Sequence, residues 1–185
     1  MMKKIVTVAT ATLLMSTATF ANDLKLLPVL SDGYTPSWGV AVLGGYEKTR
    51  DINGGGDYGV EVSLTCPLLQ IPTNTIKQQI SIVNSATDGL AKTSVELNPH
   101  VMFDLGNRFE LGAGPSLGLV YASYASSHDV VFGAGVGASL TYNISSKYFA
   151  GVESRYQWTT DADFGSGNKV NLDNTRTIAK FGVHF

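Results

Sequence analysis

The residues best equipped for chemistry in this chain are three histidines, one cysteine and a set of opposite charges placed two apart. His100 shares its spacing with Glu96, Asn98 and Met102, His128 follows Ser126 and Ser127, and His184 is the penultimate residue. Nucleophilic catalysis needs a hydroxyl, a base and an acidic orienter within hydrogen-bond reach. No local spacing supplies all three. Ser116, His100 and Glu96 would meet only if the fold joins separate segments, which the sequence leaves open; otherwise His100 is a hydrogen-bonding filler. No His/Cys pair has zinc-ligand spacing. Asp161, Asp163 and Asp173 lack the order of a calcium loop. Gly54-Gly55-Gly56 would cradle phosphate only ahead of a helix, and none is evident, so the run reads as a flexible hairpin tip. No catalytic residue, cofactor or metal is assigned, and the expectation is that the chain is not an enzyme.

The charges are more informative. Glu153 and Arg155 lie two apart, a spacing that puts both side chains on one face of a strand. The same parity collects Glu47, Glu61, Glu96, Glu110, His100, Lys77 and Lys180 on polar faces, with Arg176 expected near a rim. The elements that carry them are strands of period two. From Val130 to Tyr142, Val130, Phe132, Ala134, Val136, Ala138, Leu140 and Tyr142 alternate with Val131, Gly133, Gly135, Gly137, Ser139 and Thr141. Comparable alternation runs through Trp38–Glu47, Tyr58–Thr65, Ser94–Phe103, Phe109–Tyr121, Tyr148–Trp158 and Thr177–Phe185, and more weakly through Ile76–Asn84. Pro115 lacks a ladder donor, so a bulge or an unpaired position is expected there. The fold class is therefore all-β, an eight-stranded antiparallel up-and-down barrel.

Which face is outside follows from residue size and polarity. Only 15% of residues are charged, against about 25% in ordinary soluble domains. The polar faces are rich in glycine, which leaves room for large neighbours inside a narrow barrel but weakens a solvated strand. The apolar faces place Trp38, Tyr46, Phe103, Phe109, Tyr121, Tyr142, Tyr148, Trp158 and Phe185 near strand ends, as in the aromatic girdles of a barrel in lipid. The formal net charge of −2 gives no case for nucleic acid. The single Cys66 excludes an intrachain disulfide and reads as a small apolar strand residue.

The ends and links complete the plan. Lys3 and Lys4 precede a short apolar run and small residues at Thr19 and Ala21, so residues 1–21 read as a signal peptide, 22–35 as a periplasmic segment and 36–185 as the barrel. Short links are expected at Gln70–Asn74, Leu105–Arg108 and Asn143–Lys147. Longer ones are expected at Thr49–Asp57, Ser85–Lys92, Ser123–Asp129 and Asp161–Asn174. Short periplasmic turns and longer external loops put both termini in the periplasm.

From Pro36 to Phe185 the chain resembles the small outer-membrane barrels of the OmpA/OmpX and opacity-antigen type. The likeness rests on the alternating end Phe181, Val183, Phe185 and on the Gly-rich hairpin from Phe132 to Trp158. It implies residence in the outer membrane among lipid and lipopolysaccharide. It also implies that Phe181, Val183 and Phe185 are the signal read by the barrel-assembly machinery. Some small barrels of this membrane modify lipid A, but the histidines here give little support for that. The lumen network is expected to comprise Glu61, Glu96, His100, Glu110, Glu153, Arg155 and Lys180. Glu153 should pair with Lys180 or Arg176, and Arg155 with Glu96 or Glu110. The expected role is a surface barrel plugged by these groups, acting in adhesion or envelope integrity through an unidentified loop partner; the alternative is a narrow channel for small solutes.

Overall fold

The computed structural model describes residues 24–71, 73–165 and 169–185; the expected signal peptide lies outside them. Eight strands form the barrel: β1 (Trp38–Thr49), β2 (Gly54–Thr65), β3 (Ile76–Thr87), β4 (Leu90–Gly106), β5 (Phe109–Tyr124), β6 (Ser127–Asn143), β7 (Tyr148–Thr159) and β8 (Asn174–His184). Each pairs antiparallel with its sequence neighbours, and β8 closes on β1 with Phe181 opposite Val42 and Arg176 opposite Glu47. Closure removes the unpaired edge that an open sheet would expose to lipid. Both ends of the barrel sequence, Trp38 and His184, lie on one rim, here termed the terminal rim; the opposite rim is distal.

The alternation sets the faces as expected. Val42, Leu119, Val136 and Phe181 are each more than half exposed, while Glu61, Glu96, Glu153 and Arg155 are almost wholly enclosed. A soluble barrel would have the reverse pattern. An apolar band of this extent is far larger than the patches that water-soluble proteins expose. Pairs such as Phe109–Tyr142 and Tyr156–Trp158, each 4.8 Å between ring centroids, lie toward opposite ends of the band. The glycines serve the interior. A Cβ at Gly114 would collide with the Pro99 carbonyl, and one at Gly135 would stand 2.7 Å from Ser116 Oγ. Pro99 and Pro115 face each other across β4 and β5, where the pairing lapses from Asn98 to His100 without a change of register. Pro115 is thus unpaired on its β4 side, as its missing donor allows, while on the other side it stays in register with Val136 of β6.

The links differ from expectation. The distal connections span only residues 50–53, 88–89 and 125–126, because β4, β5 and β6 continue for 16 to 17 residues. Beyond the apolar band the outward side chains become polar, so the hydrophobic pattern fades while backbone pairing goes on. Asp88 and Gly89 both adopt positive φ, the geometry of a two-residue turn that matches strand twist. Gly54-Gly55-Gly56 is not a hairpin tip: it opens β2, where a Cβ on Gly55 would approach the Ala86 carbonyl to 2.5 Å. Conversely, the link after β2, expected to be short, runs from 66 to 75. Its Leu69–Gln70 pairs with Lys25–Leu26 of the N-terminal segment, and Cys66 is buried at its start rather than on a strand. Residues 160–173 form the longest connection, with a small ladder between Ala162–Asp163 and Lys169–Val170.

Candidate functional site: the charged lumen

The inward positions of five strands bring ionic groups into one connected chain. At the distal end Lys92 of β4 contacts Glu47 of β1, and its Nζ lies 2.5 Å from Thr49 Oγ1. Glu47 accepts from Arg176 of β8 at 2.5 Å, and Arg176 reaches Glu96 of β4 at 2.7 Å and Asp57 of β2 at 3.2 Å. Glu96 next meets Arg155 of β7, which also meets Glu153 two residues before it. Lys180 of β8 then joins Glu153 to Glu61 of β2, 2.5 Å from each. The order of contacts is Lys92, Glu47, Arg176, Glu96, Arg155, Glu153, Lys180, Glu61, alternating in sign throughout. All are buried. In a medium of low dielectric each charge requires a partner of opposite sign, and alternation gives every interior member two.

Hydrogen bonds tie this chain to the wall. Ser94 Oγ accepts from Arg176 at 3.1 Å, Ser85 Oγ donates to Glu47 at 3.2 Å, and Gln157 Nε2 reaches Glu96 at 3.5 Å. The distal end is covered by an apolar cluster of Leu90, Val120, Ala122, Val131, Ala162 and Leu172. Toward the terminal rim, Ala41, Leu43, Val83, Phe149 and Ile178 make a second cluster. Phe149 stacks on His184 at 4.6 Å.

The expected residues fall into two groups. Glu61, Glu96, Glu153, Arg155 and Lys180 meet in the chain, with Glu96 as the cross-strand partner of Arg155 and Lys180 as that of Glu153. Glu110 does not join them: it pairs with Lys77 at 3.7 Å in the partly open terminal mouth. Arg176, expected near a rim, is instead a central branch point contacting three carboxylates. Lys92 and Asp57, expected at the margins of loops, are buried members of the strands. Parity carried this signal: Lys92 continues the face of Ser94 and Glu96, and Asp57 continues that of Gly59 and Glu61.

No Ser116, His100, Glu96 triad forms. The His100 Nδ1 is 3.1 Å from Ser139 Oγ, while Glu96 is occupied by two arginines. Ser116 Oγ and His100 Nε2 have no hydrogen-bond partner among the described residues, and both side chains are enclosed by the wall. A base without an orienting acid, sealed from bulk substrate, is poorly placed for nucleophilic catalysis. At the chain end, Phe181 and Phe185 face outward and the Phe185 amide donates to the Trp38 carbonyl at 2.9 Å, seating the last residue on the terminal rim.

No family model and no curated protein sequence matches the chain. Solved structures do match its fold. A major outer membrane protein from Thermus thermophilus aligns over 82% of this chain and 100% of its own, with 10% identity and a TM-score of 0.57. Neisserial surface protein A aligns over 81% of this chain and 97% of its own, with 14% identity and a TM-score of 0.54. Ail, the attachment invasion locus protein of Yersinia pestis, covers the same shares at 9% identity, also with a TM-score of 0.54. At these identities the likeness speaks for architecture: the chain has the fold of the small eight-stranded outer-membrane β-barrels.

Proposed function

We propose that this chain is a non-conducting barrel of the outer membrane with a structural or surface-interaction role, in adhesion or envelope integrity. One observation carries the reading. An unbroken run of alternating charges crosses the lumen from Lys92 to Glu61, under a distal apolar cap. A conducting pore more often presents a one-sided field that selects its ion. Here each charge is spent on a neighbour.

In this reading the terminal rim faces the periplasm, with the Lys25–Leu30 segment beside it. The extended ends of β4, β5 and β6 project from the opposite face, where Asp129, Asp161 and Asp163 meet the exterior. Lipid and lipopolysaccharide cover the outer band, and Phe181, Val183 and Phe185 engage the barrel-assembly machinery. Adhesion is in keeping with the fold likeness to a protein named for attachment. The narrow-channel reading draws on other atoms: Asn98 Oδ1, His100 Nε2 and Ser116 Oγ lie buried without partners among the described residues, which gives the middle of the lumen unspent polarity. Conductance of the refolded mature barrel in planar bilayers separates the two. A trace flat at the leak level supports the plug, and reproducible steps above leak overturn it.

A further inference from the structure

Above the apolar cap the distal mouth opens into a cavity of about 710 Å³. Its walls are Ile52, Leu90, Tyr124, Phe164 and Val170, and its polar groups are Lys48, Asp51, Asn53 and Asp88. Ile52, Phe164 and Val170 pack on the buried distal cluster, so the floor is apolar. The volume is that of a small-molecule site, and the lining is mixed, apolar and aromatic side chains on one part and polar groups on the other. A ligand that fills it must set apolar surface against Ile52, Leu90 and Phe164 and keep a polar group for the remaining wall.

The charge complement is acidic. The lining carries two carboxylates, Asp51 and Asp88, against one ammonium, Lys48, and Arg50 lies 3.9 Å from the exposed Asp51 carboxylate, so Asp88 is the lining carboxylate with no cation in contact among the described residues. Asp88 Oδ2 accepts from Asn53 Nδ2 at 2.7 Å, which orients this carboxylate at the rim. The Tyr124 and Phe164 rings, 6.1 Å apart and tilted, offer π-faces on the same wall. Aromatic faces beside carboxylates are the chemistry that recognises an organic cation.

We propose that the distal mouth binds a small amphiphile with an apolar or aromatic body and a single cationic head. The body lies against Ile52, Leu90 and Phe164, and the head sits between Asp51, Asp88 and the ring of Tyr124. The proposal does not depend on whether the lumen conducts, because the cavity lies beyond the apolar cap.

The test is equilibrium dialysis of 4-phenylbutylamine and of its neutral counterpart 4-phenylbutanol. Each is dialysed against the barrel in phosphatidylcholine nanodiscs and against empty nanodiscs of the same lipid. Saturable uptake of the amine beyond that of empty discs is expected, with the alcohol bound about three- to fivefold more weakly. The Asp51→Asn/Asp88→Asn double variant should abolish the preference for the amine. Asparagine keeps the positive φ of both positions accessible. Phe164→Ala should weaken both ligands. Uptake equal to that of empty discs, or an amine preference unchanged in the double variant, overturns the proposal. A gel-shift assay on unheated samples confirms that each variant is folded, and the two aspartate changes keep the test decisive if Phe164→Ala is not.

Discussion

Arg176→Met and Arg155→Met remove the same group from the same lumen, yet the contact pattern makes their costs unequal. Arg176 contacts Glu47, Glu96 and Asp57. When it is removed, Glu47 still has Lys92 and Glu96 still has Arg155, but Asp57 has no other cation in contact among the described residues. The loss is therefore that of one orphaned buried carboxylate, about 3–5 kcal/mol, rather than three times that figure. Arg155 contacts Glu96 and Glu153, and both retain a cation, Arg176 and Lys180 respectively. Its removal costs the charge-assisted hydrogen bonds alone, about 1.5–3 kcal/mol. The second change Asp57→Asn should restore a large part of the Arg176→Met loss and little of the Arg155→Met loss. Equilibrium unfolding in urea, with the barrel in lipid vesicles, measures all four chains together with the parent. Equal losses for the two arginine variants, or no rescue by Asp57→Asn, would refute the assignment of Asp57 to Arg176.

Val136→Lys, on an outward position of β6 that is half exposed, should cost about 2–4 kcal/mol near mid-bilayer, whereas Val136→Leu should be tolerated; equal behaviour of the two in the same unfolding assay would remove Val136 from the lipid face. Gly135→Ala, one residue away, should fail by crowding, since its Cβ would press on the Tyr156 carbonyl and on Ser116 Oγ; an unchanged unfolding midpoint would contradict that packing. Deletion of Phe185 should lower insertion in cells and leave refolding in detergent largely intact, as judged by surface labelling against band shift. Normal surface levels would show that Phe185 is only a lipid-facing aromatic.

The fold was legible because period-two alternation fixes both the strand and its outward face, and lipid enforces the pattern at every outward site. That enforcement stops at the edge of the apolar band. Lys92, Asp57 and Ser123 lie past it, so they looked like loop residues although the ladder includes them. Inside the barrel, parity told which side chains share the lumen but not their height. Arg176 and Glu47 meet because β8 pairs with β1 in a register that joins the two ends of the sequence. No local pattern encodes that. The same reason separates Glu110 from Arg155: both are inward, but Glu110 sits one residue from the terminal start of β5 and falls to Lys77.

The proposed plug has a different approach from each rim. From the distal side a solute enters the mouth lined by Lys48, Asp51, Asn53 and Asp88, then meets the apolar cluster of Leu90 and Leu172, then the contacts among Lys92, Glu47 and Arg176. From the terminal side it meets a mouth lined by Lys77, Glu110 and His184, the last stacked on the buried Phe149. The unpaired atoms of His100, the register partner of Lys77, and of Ser116 lie buried behind this mouth. In the proposed reading the charged chain closes the lumen by redundancy: a broken internal contact leaves each partner a second one, and the loss of Arg176 orphans one carboxylate, Asp57, at about 3–5 kcal/mol. On that proposal the electrostatic chain is what closes the lumen, while the apolar cap shapes the distal cavity above it.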